Sequence, residues 1–246
     1  MTNRIYGEKV NIDSKSTESF YDQRAKTINN REQKYTTVLL GDQNPNYSIK
    51  WDKFEKDYII PKLTLGKEKK VLDLGCGIGR WADDISDKCG YYCGVDFSAE
   101  MIKVAKQKKR SGNCEFLNLS LKEAVKDNRV ISIKYDVIIV TGVSMYINDD
   151  ELLDCYKGIG KLLNKDTILY LEESVGKNER LTLNNIWSEN LKDYYGAIYR
   201  TREEYMEMLS DSIDNLVFVE EGYMNCLDKK EQSETSHWYT LIKREA

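Results

Sequence analysis

Two patterns of apolar positions alternate along the chain from about residue 67 to its end. Short runs of mostly apolar residues occur at 71–74, 91–95 and 135–140, as expected for strands that are buried on both faces of a parallel sheet. Between these runs, apolar residues recur every three or four positions, which is typical of helices with one buried face. This order of strands and helices predicts an α/β domain built on a parallel sheet.

The same patterns, read together with capping residues, predict the individual elements. Predicted strands are 71–74, 91–96, 114–118, 135–140, 167–171, 216–219 and 237–242. Predicted helices are 16–28, 47–60, 80–88, one that starts at Ser98, 149–163, and one opened by the capping box of Thr201 and Glu204. Ser16 or Thr17 is expected to cap the first helix, and Asp149 the helix at 149–163.

Residues 1–66 precede the predicted sheet and are expected to form a helical lid over a domain at 67–246. Residues 1–15 show little periodicity, which indicates a mobile arm. In the helix at 47–60, Trp51, Phe54 and Tyr58 recur at helical spacing. We expect this stripe to pack as core against the sheet rather than to contact a cofactor.

A glycine-rich turn follows the first predicted strand, with the pattern Asp73-x-Gly75-x-Gly77-x-Gly79. Glycine is favoured there because it tolerates positive φ and lets the backbone approach a ligand closely. The dinucleotide fingerprint requires a third glycine at position 80, where this chain has Arg80. The carboxylate of Asp73 would also repel a pyrophosphate. The turn therefore indicates a ligand other than a dinucleotide.

A second motif is an acidic residue, Asp96, at the end of the next predicted strand, about 20 residues after the first glycine. It continues as Asp96-x-Ser98-x-x-Met101, and an acid in this position can accept both hydroxyls of a ribose. The glycine turn and this acid together resemble the class I S-adenosylmethionine-dependent methyltransferases, over about residues 67–175. The resemblance implies a Rossmann-like sheet of parallel strands with an antiparallel last strand, and S-adenosyl-L-methionine as the methyl donor, which is converted to S-adenosyl-L-homocysteine.

The resemblance also implies which residues hold the cofactor. In that family the glycine turn receives the amino-acid end of S-adenosylmethionine, and the acid at the Asp73 position helps to hold its ammonium group. The cofactor-binding residues expected on this basis are Asp73, Gly75, Cys76, Gly77, Gly79, Asp96, Phe97, Met101, Ser120 and Thr141. Ser120 departs from the pattern, because the family usually has an acid there that meets the adenine amino group.

Two residues are candidates for catalysis, Tyr146 and His237. Tyr146 lies where relatives often carry an active-site His or Tyr, although a core-packing role is an equal alternative. His237 is the sole histidine of the chain and opens the predicted last strand. Because an antiparallel last strand starts at the edge where parallel strands end, we expect His237 to face the same crevice as Tyr146 and Glu173. A packed or surface histidine is the alternative.

Other residues are candidates for binding the substrate. The segment at 175–200 is rich in Trp, Tyr and Arg and is predicted to be an insertion that covers the substrate. In the family an N-terminal helix bearing Tyr and Arg folds over the site, which Tyr21 and Arg24 resemble. The alternative for these two is a packing residue and a surface charge. Arginines that could clamp an anionic substrate are Arg24, Arg180, Arg200 and Arg202.

Composition narrows the class of protein. A chain of 246 residues with a net charge of −4 suits one α/β domain with additions, and it lacks the basic footprint of a dedicated nucleic-acid binder. The six cysteines show no paired spacing, so we expect free thiols in a reducing cytosol and no metal site. No run approaches the roughly 20 apolar residues of a membrane span, and residues 1–16 carry no apolar signal segment. We expect a soluble cytoplasmic protein without a membrane partner. The oligomeric state is left open.

The expected chemistry is displacement at a sulfonium methyl group, which depends mainly on proximity and alignment. A general base is needed only if the nucleophile is an unactivated hydroxyl. We expect transfer to an oxygen or nitrogen of a polar or anionic small molecule. The polar, Asn- and Lys-rich character of the chain resembles bacterial members of the family that modify surface-glycan precursors, and this resemblance implies a sugar or phosphoramidate building block of a surface glycan or capsule. Two alternatives stay open: a methyltransferase acting on protein or RNA, and a non-catalytic subunit that binds the cofactor.

Overall fold

A seven-stranded sheet with helices on both faces forms the centre of the computed structural model, which describes residues 4–110, 112–224 and 234–245. The strands are β1 (Arg4–Tyr6), β2 (Lys70–Leu74), β3 (Tyr91–Asp96), β4 (Cys114–Asn118), β5 (Val137–Thr141), β6 (Ile168–Gly176), β7 (Leu181–Ser188), β8 (Asp193–Tyr199), β9 (Leu216–Tyr223) and β10 (Thr235–Arg244). The α-helices are α1 (Ser14–Lys26), α2 (Thr36–Leu39), α3 (Pro45–Ile59), α4 (Ala82–Ile85), α5 (Ala99–Gln107), α6 (Leu121–Ala124), α7 (Asn128–Ile131), α8 (Asp149–Leu162) and α9 (Arg202–Ser212).

The central sheet has the strand order β4-β3-β2-β5-β6-β10-β9. The first five of these strands are mutually parallel, whereas β10 runs antiparallel to both β6 and β9. The predicted parallel sheet with an antiparallel last strand is confirmed. Because the chain leaves β2 toward β3 on one side and later places β5 on the other, the carboxyl end of β2 lies at a switch point, where ligand crevices form in such sheets.

Helices cover both faces of this sheet. On one face α8 and α9 bury side chains such as Ile159 and Leu209, and on the other α3 and α4 bury Ile59 and Ile85. Side chains alternate between the two faces along β6, so that consecutive residues face different helices. Because of this alternation, Glu172 and its neighbour Glu173 lie on opposite faces of the sheet.

A second sheet, β1-β7-β8, is antiparallel and lies outside the central one. With α1 it encloses an apolar cluster that includes Phe20, Leu181 and Tyr195. We call β1, α1, α2, β7 and β8 the cap. The segment predicted as an insertion at 175–200 is thus largely a β-hairpin. The expectation of a mobile arm at 1–15 is corrected for Arg4–Tyr6, whose backbone pairs with β7.

Two helix starts differ from the expectation. α1 begins at Ser14, two residues earlier than expected, because the Asp13 side chain accepts the N–H of Lys15 at 3.0 Å and caps the helix. Asp149 is the first residue of α8 and does not cap it; Asn148 occupies the N-cap position. The carboxylate of Asp149 is engaged elsewhere, as described below.

The helix expected at 80–88 is shorter, with one turn of α-helix followed by a 3₁₀ turn at Ser86–Lys88. The carbonyl of Ser86 accepts a hydrogen bond from the side-chain amide of Asn113 at 2.9 Å, so the helical ladder stops there. By contrast, the Ser98 cap of α5 and the Thr201–Glu204 capping box of α9 are both present, and these predictions are confirmed.

The aromatic stripe of α3 is only partly core. Trp51 is buried, but Phe54 and Tyr58 are 37% and 40% exposed. The buried side of the helix instead carries the charged residues Glu55 and Lys56. Helical periodicity detects apolar faces and therefore missed the charged side chains that share the buried face with Trp51 and Ile59.

Five cysteines are free thiols, namely Cys76, Cys89, Cys93, Cys114 and Cys155. Cys226 lies outside the described residues. Within the described part of the chain, none of the helices combines the length and apolar character needed to cross a bilayer. The same residues contain no cluster of three or more potential metal ligands.

The turn between β5 and α8, residues 143–147, is held from one side by a buried carboxylate. Glu173 is fully buried, and it accepts hydrogen bonds from the backbone N–H groups of residues 143, 144 and 145 at 3.1, 2.7 and 3.3 Å. Burial raises the pKa of Glu173 to about 7, although these N–H groups favour the ionised form. The turn is therefore anchored directly to β6.

A buried guanidinium holds the same turn from the other side. Arg200 follows β8 and donates to the carbonyl oxygens of Ser144 and Ile147 at 2.9 and 2.6 Å. It also pairs with Asp149 at 2.6 Å and is fully buried. A planar group with five donors is suited to this fork of acceptors. Arg200 thus links the hairpin to the turn after β5.

We expect Arg200→Lys to destabilise the protein by about 3 kcal/mol, because lysine keeps the charge but cannot serve all these acceptors in a buried site. Arg202→Lys is the control, since Arg202 pairs with Glu221 near the surface and should cost no more than about 1 kcal/mol. Urea unfolding measures both values. Equal losses in the two variants would contradict the clamping role of Arg200.

Candidate active site

A cavity of about 530 Å³ opens at the carboxyl edge of the parallel strands, beneath α1 and α2. Ten of the residues expected from the sequence to form the site line it: Tyr21, Gly75, Cys76, Gly77, Asp96, Phe97, Met101, Ser120, Thr141 and Tyr146. Six others lie outside the lining: Arg24, Asp73, Gly79, Arg180, Arg200 and His237. Residues from the sheet, its loops and the cap therefore meet in one space.

The glycine turn forms one wall of the cavity. Gly75 and Gly77 have φ values of +83° and +53°. A Cβ on Gly75 would lie 2.1 Å from a methyl group of Val143, and one on Gly77 would lie 2.6 Å from a methyl group of Val38. Backbone conformation and close packing both require glycine at these positions.

Asp96 stands beside this turn, at the end of β3. Its two carboxylate oxygens accept the N–H groups of Gly77 and Ser98, each at 2.9 Å. Burial raises the pKa of Asp96 to about 6, and the two N–H groups act in the opposite direction. The carboxylate is thus oriented by the backbone and lines the cavity.

Asp73 lies beneath the turn rather than on the cavity wall. The Tyr92 hydroxyl donates to its Oδ2, while its buried Oδ1 has no hydrogen-bond partner in the structure. Burial raises the pKa of Asp73 to about 7. Gly79 also lies off the wall, since the Arg110 guanidinium fills the space beside its Cα.

The far end of the cavity is formed by Phe97, Met101 and Ser120. Ser120 caps α6 in a reciprocal capping box with Glu123: its hydroxyl accepts the N–H of Glu123 at 3.3 Å, and the Glu123 carboxylate accepts the N–H of Ser120 at 2.8 Å. Ser120 is thus a helix cap at a place where the family usually has an acid.

A polar corner lies at the ends of β5 and β6. The Thr141 hydroxyl oxygen accepts from the Arg80 guanidinium at 3.2 Å and from the Trp81 indole N–H at 3.4 Å. Arg80 is itself buried and pairs with Asp52 and Glu55 of α3 at 3.1 and 2.7 Å. The arginine that replaces the dinucleotide glycine therefore supports this corner of the cavity.

His237 lies behind this corner and does not face the cavity directly, which corrects the expectation. Its Nδ1 is 2.8 Å from an Oε1 of Glu172, and Glu172 lines the cavity. Glu173, expected at the same crevice, lies on the opposite face of β6 because neighbouring strand residues alternate. No role for Glu172 was predicted from the sequence.

Three tyrosines join the cap to the cavity. The Tyr21 hydroxyl donates to Tyr146 at 2.7 Å, and the hydroxyls of Tyr146 and Tyr195 are also 2.7 Å apart. Burial raises the pKa of all three, so at neutral pH they are phenols. Tyr146 is therefore a hydrogen-bonding group at the cavity and not a phenolate base.

The arginines expected to clamp a substrate are engaged in the fold. Arg24 pairs with Asp42 at 2.7 Å, and Arg180 and Arg200 both pair with Asp149. The guanidinium groups of these three are nearly inaccessible to solvent, and burial of an arginine requires such partners. In this structure they position the cap and do not reach the cavity. Arg202 pairs with Glu203 and Glu221, and it is likewise absent from the lining.

Comparison with known families gives a match over most of the chain. A family model described as a methyltransferase domain matches residues 65–245. The match covers the whole central sheet and the β7–β8 hairpin. The N-terminal part of the cap lies outside it.

Two curated relatives are both named phosphoethanolamine N-methyltransferase 1. The protein of Caenorhabditis elegans is 21% identical over 191 residues, covering 67% of this chain and 40% of that protein. The protein of Triticum aestivum is 24% identical over 177 residues, covering 69% of this chain and 32% of that protein. The chain thus spans two fifths or less of the length of these relatives.

Solved structures share the fold at low identity. Phosphoethanolamine N-methyltransferase 1 of Haemonchus contortus, in complex with phosphoethanolamine and S-adenosylhomocysteine, gives a TM-score of 0.65 at 16% identity, covering 95% of this chain and 49% of that one. Magnesium protoporphyrin IX methyltransferase of Synechocystis with bound S-adenosylmethionine gives 0.63 at 16% identity, covering 97% and 100%. With the family match, this fold shows that the chain belongs to the class I S-adenosylmethionine-dependent methyltransferases, and that S-adenosylmethionine is its cofactor.

Proposed function

We propose that the protein transfers the methyl group of S-adenosylmethionine to a nitrogen or oxygen of a small polar molecule enclosed beneath the cap. The observation that supports this most is the extent of the cavity. One space joins the glycine turn and Asp96 to Thr141, Tyr146 and Glu172, so a cofactor site and an acceptor site are continuous. Cavities of this size bind small molecules.

The cofactor would be held by the wall that contains the glycine turn. Gly75 and Gly77 allow the backbone to approach a ligand, and the Asp96 carboxylate is placed to accept hydrogen bonds from two ribose hydroxyls. Asp73 does not line the cavity, but its unpartnered Oδ1 favours a positively charged group above the turn, because a buried carboxylate oxygen without a donor is costly. The residues present therefore fit the cofactor.

Bound there, the cofactor supplies an electrophilic methyl carbon on a sulfonium. The protein's own contribution is alignment of the acceptor and exclusion of water. The cap serves both purposes, since Tyr21 of α1 and Tyr195 of β8 hold the Tyr146 hydroxyl at the cavity. The clamp of Glu173 and Arg200 fixes the backbone of the same turn.

The charges around the cavity favour an amine or a hydroxyl as the group that accepts the methyl. Carboxylates of Glu18, Glu151 and Glu172 line the cavity. The cations that line it are already paired, Arg80 with two carboxylates and Lys122 with Glu151 at 3.4 Å. The relatives named above methylate the nitrogen of phosphoethanolamine, which supports an amine.

A sugar or phosphoramidate building block of a surface glycan belongs to the same class of polar acceptor and remains part of this proposal. We also propose that the protein is located in the cytoplasm, where such precursors and S-adenosylmethionine would be available. Action on protein or RNA and a purely cofactor-binding role are outcomes that the second experiment below distinguishes.

We expect Asp96→Asn to weaken the binding of S-adenosylhomocysteine by about tenfold to a hundredfold, because a charge-assisted acceptor is lost. Wild-type affinity should also fall as pH decreases through about 6, where the Asp96 carboxylate becomes protonated, whereas the variant should lack this component. Isothermal calorimetry between pH 5 and pH 8 measures both effects.

The matched control is Asp136→Asn. Asp136 also accepts a backbone N–H, that of Lys70 at 2.9 Å, but it lies at the opposite edge of the sheet. Its replacement should leave the affinity unchanged. Unchanged affinity in Asp96→Asn would remove Asp96 from the cofactor site.

We expect methyl-labelled S-adenosylmethionine to transfer label into the small-molecule fraction of a bacterial extract, because the cavity is enclosed by the cap. Asp96→Asn supplies the background. Label in protein or RNA would overturn the small-molecule proposal, and cofactor binding without any transfer would favour a non-catalytic subunit.

A further inference from the structure

One carboxylate of the cavity wall is mounted on the central sheet. Glu172 lies on β6 beside Thr141 of β5 in the parallel register. Its side chain is 7% exposed, and its backbone carbonyl accepts the N–H of Gly142 at 2.8 Å. A group carried on a strand is held more firmly than one carried on a loop. Glu172 is thus a fixed feature of the polar corner.

His237 supports this carboxylate from behind. The Nδ1 of His237 is 2.8 Å from Glu172 Oε1, and the hydroxyl of Ser174 is 3.5 Å from the same nitrogen. The imidazole also packs against the Trp51 ring, with 4.1 Å between centroids and 37° between planes. Trp51 contacts the face of the imidazole ring, and Glu172 and Ser174 contact its edge at Nδ1. These contacts orient the ring with Nδ1 toward Glu172.

The neighbouring carboxylates of Glu55 and Glu173 form contacts within the fold. Glu55 pairs with Arg80 and accepts the Tyr170 hydroxyl at 2.9 Å, and Glu173 accepts three backbone N–H groups of the turn. Burial is the main cause that raises the pKa of Glu55 and of Glu173, and the charge of Glu172 adds to it. Neither of them lines the cavity, whereas Glu172 does.

We propose that Glu172 is a catalytic residue whose carboxylate receives the nucleophilic N–H or O–H group of the acceptor, and that His237 is the positioning residue that orients it. This inference rests on the function proposed above. The acceptor nitrogen or oxygen forms a bond to the methyl carbon while the carbon–sulfur bond breaks, and that electron pair stays on sulfur. The acceptor proton passes to a carboxylate oxygen of Glu172.

Glu172→Gln tests the catalytic assignment with labelled S-adenosylmethionine and the small-molecule fraction of the extract. We expect the transfer rate to fall about a hundredfold, since a positioned base contributes on this scale. The affinity for S-adenosylhomocysteine should stay within about twofold, because the glycine turn and Asp96 are unchanged. Glu115→Gln is the matched control: Glu115 accepts the Tyr91 hydroxyl at 2.6 Å, away from the cavity.

Two variants separate the hydrogen bond of His237 from its packing. His237→Phe keeps a ring against Trp51 but removes the donor, and it should lower the rate by about tenfold at unchanged cofactor affinity. His237→Asn retains a donor near the place of Nδ1 and should recover most of that loss. A purely structural role would give the reverse order, with Phe tolerated and Asn harmful.

The sole histidine also provides a test that needs no acceptor. ¹⁵N-resolved NMR of the imidazole should show that Nδ1 carries a proton in the wild-type protein, because the Glu172 carboxylate is its acceptor. An unprotonated Nδ1 would overturn the positioning role.

The outcomes separate the two proposals. If Glu172→Gln transfers label as fast as the wild-type protein does, the catalytic role of Glu172 is overturned and the proposed function is not. No transfer of label by the wild-type protein would overturn the proposed function, and the catalytic role of Glu172 with it.

Discussion

Buried carboxyl groups at the carboxyl edge of the sheet are the constraint on which the site depends. Asp73, Asp96 and Glu173 are nearly or fully inaccessible to solvent, and burial raises the pKa of each, to about 7, 6 and 7. Backbone N–H groups or a tyrosine hydroxyl compensate these carboxylates only in part. A cation bound near these groups favours their ionised forms, which agrees with a cofactor that carries a sulfonium. The same charges organise the fold, because Glu173 and Arg200 together hold the turn at 143–147, and Arg200 brings the cap to the sheet.

The parts of this arrangement that follow local rules were predictable. Continuous apolar runs identified the parallel strands, and the glycine spacing with Asp96 indicated the edge of the sheet where the cavity opens, since both reflect requirements that act over a few residues. The Ser98 cap and the Thr201–Glu204 capping box were predictable for the same reason. The resemblance to the family then supplied the antiparallel last strand and the identity of the cofactor.

Tertiary charge pairing was not predictable from the sequence. Arg24, Arg180 and Arg200 were expected to bind the substrate, because the sequence does not show which carboxylate an arginine pairs with. Their carboxylate partners lie up to 51 positions away in the chain. α3 shows the same limit, since the charged residues Glu55 and Lys56 are buried on it. The position of His237 behind Glu172 depends on which face of β6 each residue takes, and a one-residue change in register reverses that assignment. Glu172 could have been found by placing β6 in register with β5.

We propose that the cofactor lies between the glycine turn and Asp96, with the acceptor at the corner of Thr141, Tyr146 and Glu172. A crystal structure with S-adenosylhomocysteine bound would test this placement. We expect ribose hydroxyls within hydrogen-bond distance of the Asp96 carboxylate and the homocysteine sulfur directed toward Glu172. A ligand bound elsewhere, or a sulfur directed away from that corner, would contradict it.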